Sequence, residues 1–239
     1  MLPSMPVCPS GERFSASNVD LRLVLGFAAP ADAVANLMPD GWEPDVAALG
    51  PTQGINLRLT FVDTLLSLDA NGRAVTPPRI AHLSLPARRH GSHAGATLLV
   101  LACSTGGDGG PYGNSVQSSA TVERRYVRSN AGIEGVHQAW QFRTRHGHAI
   151  TLQIEYLPAV PTLLTAEDRV HAAAMPDRSR IYRTEQAQDA LRHPGADRVS
   201  RIDFSATGPL LSQLFSGAEQ LTSVVAVPWY ARRVFVPPS

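Results

Sequence analysis

The stretch Gly54–Asp63, GINLRLTFVD, decides the fold class. Ile55, Leu57, Leu59 and Phe61 fall on one side of an extended chain, and Asn56, Arg58 and Thr60 on the other. His148–Tyr156, HAITLQIEY, repeats the two-residue period: Ile150, Leu152, Ile154 and Tyr156 oppose Thr151, Gln153 and Glu155. Six further segments read as strands: Val19–Phe27, Ile80–Leu85, Ala96–Ala102, Val136–Arg143, Arg198–Ser205 and Ser223–Val236. Pro228 in the last of these marks an edge or a bulge, because proline brings no N–H to a ladder. Asp69-Ala70-Asn71-Gly72 and His146-Gly147 are turn sequences. Helical signals are few. Ala31–Leu37 follows Pro30 and stops before Pro39, and Ser115–Val127 and Thr165–Ala174 are expected to form short helices. The pattern predicts an α+β protein, mostly antiparallel β, closed into a barrel with a few short helices around one ligand cavity.

The chain of 239 residues is 44% hydrophobic with a net charge of +1, enough for a sizeable core. No linker or repeat divides it, so residues 1–239 read as a single domain, with 1–17 expected to be a loosely ordered N-terminal segment. No basic run suggests nucleic acid, and no apolar stretch approaches the roughly 20 residues of a membrane helix. Met1–Ser17 lacks a charged start followed by an apolar segment, so the expected location is cytoplasmic. Cys8 and Cys103 are too few and too far apart for a disulfide framework.

All 21 basic side chains are arginines; there is no lysine. Without a side-chain primary amine, neither a Schiff base to a carbonyl nor a pyridoxal phosphate aldimine can form. Arginine stays protonated, but it grips carboxylates and other oxyanions with paired N–H groups. A GC-rich genome would leave the same bias, so the absence excludes chemistry more firmly than it assigns any.

Two segments carry a family resemblance. Leu23–Pro44, LVLGFAAPADAVANLMPDGWEP, runs from a strand through a short helix to a Leu-Met-Pro-x-Gly turn. Ala196–Pro237 contains Gly208-Pro209-Leu210, Leu214-Phe215 and a final strand ending in proline. Both resemble the acetoacetate decarboxylases and their relatives. The resemblance implies a large antiparallel barrel around a buried pocket, and oligomers. That family's signature is Gly-Arg-Glu followed by Pro-Lys-Lys, in which one lysine forms the Schiff base and its cationic neighbour activates it by lowering its pKa. Laid on without gaps, the lysine pair falls on Arg124 and Arg125, Gly-Arg-Glu on Val116, Gln117 and Ser118, and the proline on Glu123. A family arginine of the first strand falls near Asp20, with Arg22 two residues on and on the same strand face.

The resemblance therefore implies a keto-acid pocket without imine chemistry. Arg124, Arg125 and Arg22 would bind the anionic or keto substrate, and Glu123 would act as general acid or base in a dehydration, cyclisation or tautomerisation. Adjacent strand residues face opposite sides, so at most one of Arg124 and Arg125 can enter the cavity. His137 and Trp140 are further candidates for the substrate site. The spacings His146-x-His148 and His90-x-x-His93 suit metals but lack carboxylates, so no metal and no cofactor are expected. Gly106–Gly113 lacks the βαβ context of a phosphate loop and reads as a flexible loop or lid. Trp229-Tyr230 with Arg232-Arg233 reads first as a barrel-anchoring strand. Two alternatives remain open: a non-catalytic small-molecule binder or sensor on the same barrel, and an unrelated up-and-down carrier.

Overall fold

The computed structural model describes residues 11–130 and 132–238. In chain order the strands are β1 (Arg13–Ala28), β2 (Trp42–Pro44), β3 (Leu57–Leu68), β4 (Ala74–Val75), β5 (Arg79–Arg89), β6 (Gly95–Ser104) and β7 (Ser115–Ser129). They continue as β8 (Gly132–Thr144), β9 (Ala149–Tyr156), β10 (Thr162–Ala172), β11 (Met175–His193), β12 (Ala196–Asp197), β13 (Val199–Thr207) and β14 (Gln220–Val236). Two short helices, α1 (Ala31–Ala35) and α2 (Leu211–Leu214), complete the described residues.

Seven strands close on themselves in the order β5-β6-β10-β11-β14-β1-β3, and β3 pairs β5 again to complete the ring. Ring pairs are antiparallel except β6 with β10. From β6 the sheet leaves the ring through β7, β8, β9 and β13, which fold back over the ring's outside. Closure removes open edges from the ring, so most of its strands are buried on both faces.

The two faces differ sharply. Leu57, Leu59 and Phe61 of β3 join Leu23 and Leu25 of β1 and Leu83 of β5 in the main core. Across that core stand Trp140 and Phe142 of β8 and Ile150, Leu152 and Ile154 of β9. Phe61 meets Trp140 with ring centroids 5.5 Å apart. The alternate residues Thr60 and Val62 face into the ring and are also buried. The alternation at Gly54–Asp63 thus separates an apolar outer face from a largely polar lumen.

Three expectations change. Ser115–Val127 and Thr165–Ala174 lie in strands β7 and β10, not helices. In 115–127 the β-branched Val116, Val122 and Val127 and three serines weaken a helix. Full antiparallel pairing of β7 with β8 and β10 with β11 then wins. Residues 13–17 of the N-terminal segment belong to β1, tied by Phe14 against Phe235 at 5.8 Å, while residues 1–10 and Cys8 lie outside the described residues. Pro228 sits where both neighbours of β14 shift register, so its missing N–H meets a bulge.

Phe61→Ala removes a fully buried ring between the barrel and the outer sheet, and urea unfolding is expected to report a loss of about 3–5 kcal/mol.

Candidate functional site

A cavity of 160 Å³ is lined by side chains from six of the seven ring strands and therefore lies in the lumen. Arg22 comes from β1, His82 from β5 and Leu99 from β6. Asp168 comes from β10, Tyr182 from β11, and Tyr230 and Arg232 from β14. Pro111 and Tyr112 close one side.

The arginines are held in place by groups that leave part of their hydrogen-bonding capacity free. Arg22 Nη2 donates to Asp20 at 2.6 Å, Asp20 being fully buried, and its guanidinium carbon lies 3.4 Å from the centre of the Tyr230 ring. Arg232 Nη2 donates to Asn18 Oδ1 at 3.1 Å and stacks on Tyr182 at 4.5 Å. The Nε atoms of both arginines and Nδ1 of His82 are buried without a hydrogen-bond partner among the described residues. Burial opposes the Arg232 charge, but the Tyr182 oxygen and the Asp20 carboxylate hold its pKa above the usual value. Burial, then the fields of Arg22 and Arg232, push His82 down to about 3, so its imidazole is neutral.

Asp168 is the carboxylate on the cavity wall. Thr97 Oγ1 donates to it at 3.0 Å, while burial raises its pKa against the opposing pull of that bond and of Arg58. Two more open spaces share lining residues with the lumen cavity. Arg232 also lines an open groove of 500 Å³ beside Asn18 and Arg183, and Thr97 and Asp168 also line a polar recess of 280 Å³ beside Asp45 and Arg58.

The glycine-rich loop forms part of the wall. Gly107, Gly109, Gly110 and Gly113 all take positive φ, which lets the chain fold tightly. Asp108 accepts the Gln117 N–H at 2.6 Å and pairs with Arg145 at 2.5 Å. Tyr112 is thereby turned inward, 2% exposed, with its hydroxyl donating to Tyr182 at 2.7 Å. Burial pushes the Tyr112 phenol far above its ordinary value, so it stays a neutral donor.

Of the residues singled out in the sequence, Arg22 lines the lumen. Arg124 and Trp140 lie on the other side of the barrel wall, in the space beneath the outer sheet, with the Arg124 guanidinium 4.8 Å above the Trp140 ring. Arg124 Nη1 donates to Asp63 at 2.6 Å. Arg125 and Glu123 point outward and are exposed, and His137, opposite Arg125, shares that outer face, so neither cavity gathers these three. The strand period accounts for the split: Arg124 and Trp140 face inward, their odd-numbered neighbours outward. His82, Tyr112, Asp168 and Tyr182 escape a sequence reading as site residues, and Arg232 is read there first as part of a barrel-anchoring strand and only second as a residue that could stack on a ligand. For His82, Asp168, Tyr182 and Arg232 the signal is alternation within strands, His82 between Ala81 and Leu83 being one instance; Tyr112 sits in the glycine-rich loop and carries no such signal. Among the described residues, no group of three or more His, Cys, Asp or Glu is placed to hold a metal, and no helix is long and apolar enough to cross a membrane.

The ring of strands around a polar lumen has solved counterparts. An acetoacetate decarboxylase-like enzyme from Sphingomonas wittichii RW1 superposes with TM-score 0.52 at 12% identity, over 97% of this chain and 95% of that one. This chain has the acetoacetate decarboxylase-like fold. The enduracididine biosynthesis enzyme MppR, complexed with the condensation product of pyruvate and imidazole 4-carboxaldehyde, superposes with TM-score 0.53 at 12% identity, over 98% of this chain and 90% of that one. No family model matches the chain, and no curated protein matches it in sequence. On the acetoacetate decarboxylase-like barrel, the cavity of Arg22, His82 and Arg232 occupies the interior, and no lysine is available there to form an imine.

His82 stays neutral in the folded state down to about pH 3 but protonates near 6.5 when unfolded, so the unfolded chain binds more protons between those values. Stability therefore rises with pH across that window and is lost on acidification. From pH 7 to pH 5 the His82 contribution is a loss of roughly 1–2 kcal/mol. His82→Gln is expected to lose less than the parent over that interval in paired urea titrations; equal losses would remove His82 as the cause.

Proposed function

We propose that this protein binds a small keto acid or a related oxygenated carboxylate inside the barrel and moves protons on it without forming an imine. The observation that carries this reading is the convergence on one cavity of two buried guanidinium groups, each with an unpartnered Nε, beside a neutral His82. Buried donors without partners are costly, and an anionic oxygen is the group that satisfies them best. The 160 Å³ volume equals that of about five waters, the scale of a three- or four-carbon keto acid. MppR carries on the same fold a product built from pyruvate, itself a keto acid, which supports the substrate class.

In this reading Arg22 and Arg232 hold the carboxylate and the enolate oxygen that develops beside it. Asp168, whose pKa burial raises, takes a proton from the carbon next to the carbonyl and returns it elsewhere on the same molecule. The outcome is a tautomerisation, or elimination of a β-leaving group as in a dehydratase. A reading as a non-catalytic binder is favoured by how little of the lumen titrates near neutrality: His82 is held neutral and Tyr112 is pushed up. Asp168→Asn separates the two. Loss of solvent-deuterium exchange into pyruvate with affinity kept supports catalysis; no exchange even in the parent protein supports the binder.

Arg232→Met is expected to weaken pyruvate or acetoacetate binding by about tenfold or more in calorimetry, the worth of a charged hydrogen bond. Borohydride treatment with acetoacetate, the terminal amine being blocked, is expected to trap no adduct. Unchanged affinity in the Arg232 variant, or a trapped side-chain adduct, would overturn the reading.

A further inference from the structure

The space beneath the outer sheet holds a second cavity, of 220 Å³, that is separate in character from the lumen. Its walls are apolar: Ile133, Val136 and Val227, with Pro158, Pro161 and Pro228 around the rim. Three prolines in the rim leave few backbone donors there. The polar groups it contains are mostly spoken for. Gln138 donates to the Tyr156 oxygen at 2.8 Å and accepts from Trp140 Nε1 at 3.0 Å. Asp189 is taken by an ion pair with Arg198 and by the Ala159 N–H at 2.8 Å.

Two donors remain. Arg124 spends Nη1 on Asp63, which it shares with Arg79, and its Nη2 is buried without a partner among the described residues. The Tyr156 oxygen already accepts from Gln138, so its own O–H is free to donate. Burial pushes the Tyr156 phenol up to about 12, which keeps that proton in place near neutral pH. A cavity with these donors, the Arg124 charge close enough to act on the Tyr156 phenol, no free acceptor among the groups just named and apolar walls is complementary to a molecule with one anionic head and an apolar body.

We infer that this inter-sheet cavity is a second binding site, for a small monocarboxylate whose body is apolar, with Arg124 and Tyr156 gripping the carboxylate. It shares one residue with the lumen, Arg22, whose guanidinium is tied to Asp20, but Arg232 and His82 do not line it, and Arg124 and Tyr156 do not line the lumen. A volume of about seven waters suits a benzoate-sized ligand rather than a long acyl chain.

Calorimetric titration with benzoate tests this, with benzyl alcohol as the neutral analogue. Benzoate is expected to bind the parent protein more tightly than the alcohol. Arg124→Met is expected to weaken benzoate by about tenfold or more, since a charged hydrogen bond is lost. Tyr156→Phe keeps the ring, removes the donor and is expected to weaken binding several-fold, which decides the matter if the Arg124 variant does not fold. Arg232→Met is expected to leave benzoate affinity within about twofold, because Arg232 lines the lumen and not this cavity. Absence of benzoate binding, or a loss in the Arg232 variant with none in the Arg124 and Tyr156 variants, would overturn the proposal without touching the keto-acid reading of the lumen.

Discussion

Two guanidinium groups enclosed by a ring of strands set the terms for the rest of this protein. Moving a charge out of water costs several kcal/mol even after relaxation, so it persists only where partners are built around it. Here Asp20 is buried beside Arg22, and Tyr230 and Tyr182 lend their ring faces to Arg22 and Arg232. The compensation is incomplete, because both Nε atoms are left without partners. Burial first, and then the field of these two arginines, makes a charged His82 untenable, and a neutral imidazole follows from that. These unspent donors, with Asp20 Oδ1 an unspent acceptor beside them, are the feature on which the proposed keto-acid reading rests.

Closure makes such an interior possible. In an open sheet, the polar face of β1 or β3 would turn to water and its residues would be solvated. Once β3 pairs β5 and the ring shuts, that face becomes a lumen, and the opposite apolar face must be covered from outside. The outer sheet does this with Trp140, Phe142 and the β9 residues. One consequence is two chemically distinct cavities on the two sides of one wall. The lumen gathers arginines, tyrosines and a histidine; the inter-sheet space is mostly apolar, with Arg124 held over a tryptophan and Arg22 shared with the lumen. The missing lysine matters in the lumen, where no side-chain amine is available for covalent attachment to a ketone.

Much of the barrel is legible in the chain, because alternation at Gly54–Asp63 and His148–Tyr156 reports strands directly. Pro228 also announces its bulge. Segments 115–127 and 165–174 mislead because their apolar residues are sparse and their strand character comes from pairing with β8 and β11, a long-range fact. Arg22 is reached only through the family resemblance, whose first-strand arginine falls near Asp20, two residues away on the same strand face. His82 and Arg232 are not legible as residues of one cavity, because strands far apart in sequence meet across the lumen only when the ring closes, and no local spacing encodes that. The strand period rightly separates Arg124 from Arg125, yet which cavity receives Arg124 depends on β7 leaving the ring after β6. Tyr112 is hidden in a glycine-rich run that reads as a loop, although Asp108 and Arg145 pin that loop inward.

The most direct test of the central claim is NMR of the arginine Nε–H groups during titration with pyruvate. The account predicts that the Arg22 and Arg232 signals, assigned by substitution, shift together and gain protection from solvent exchange as the carboxylate binds. Saturating pyruvate that leaves both signals unmoved, while those of surface arginines shift, would contradict it.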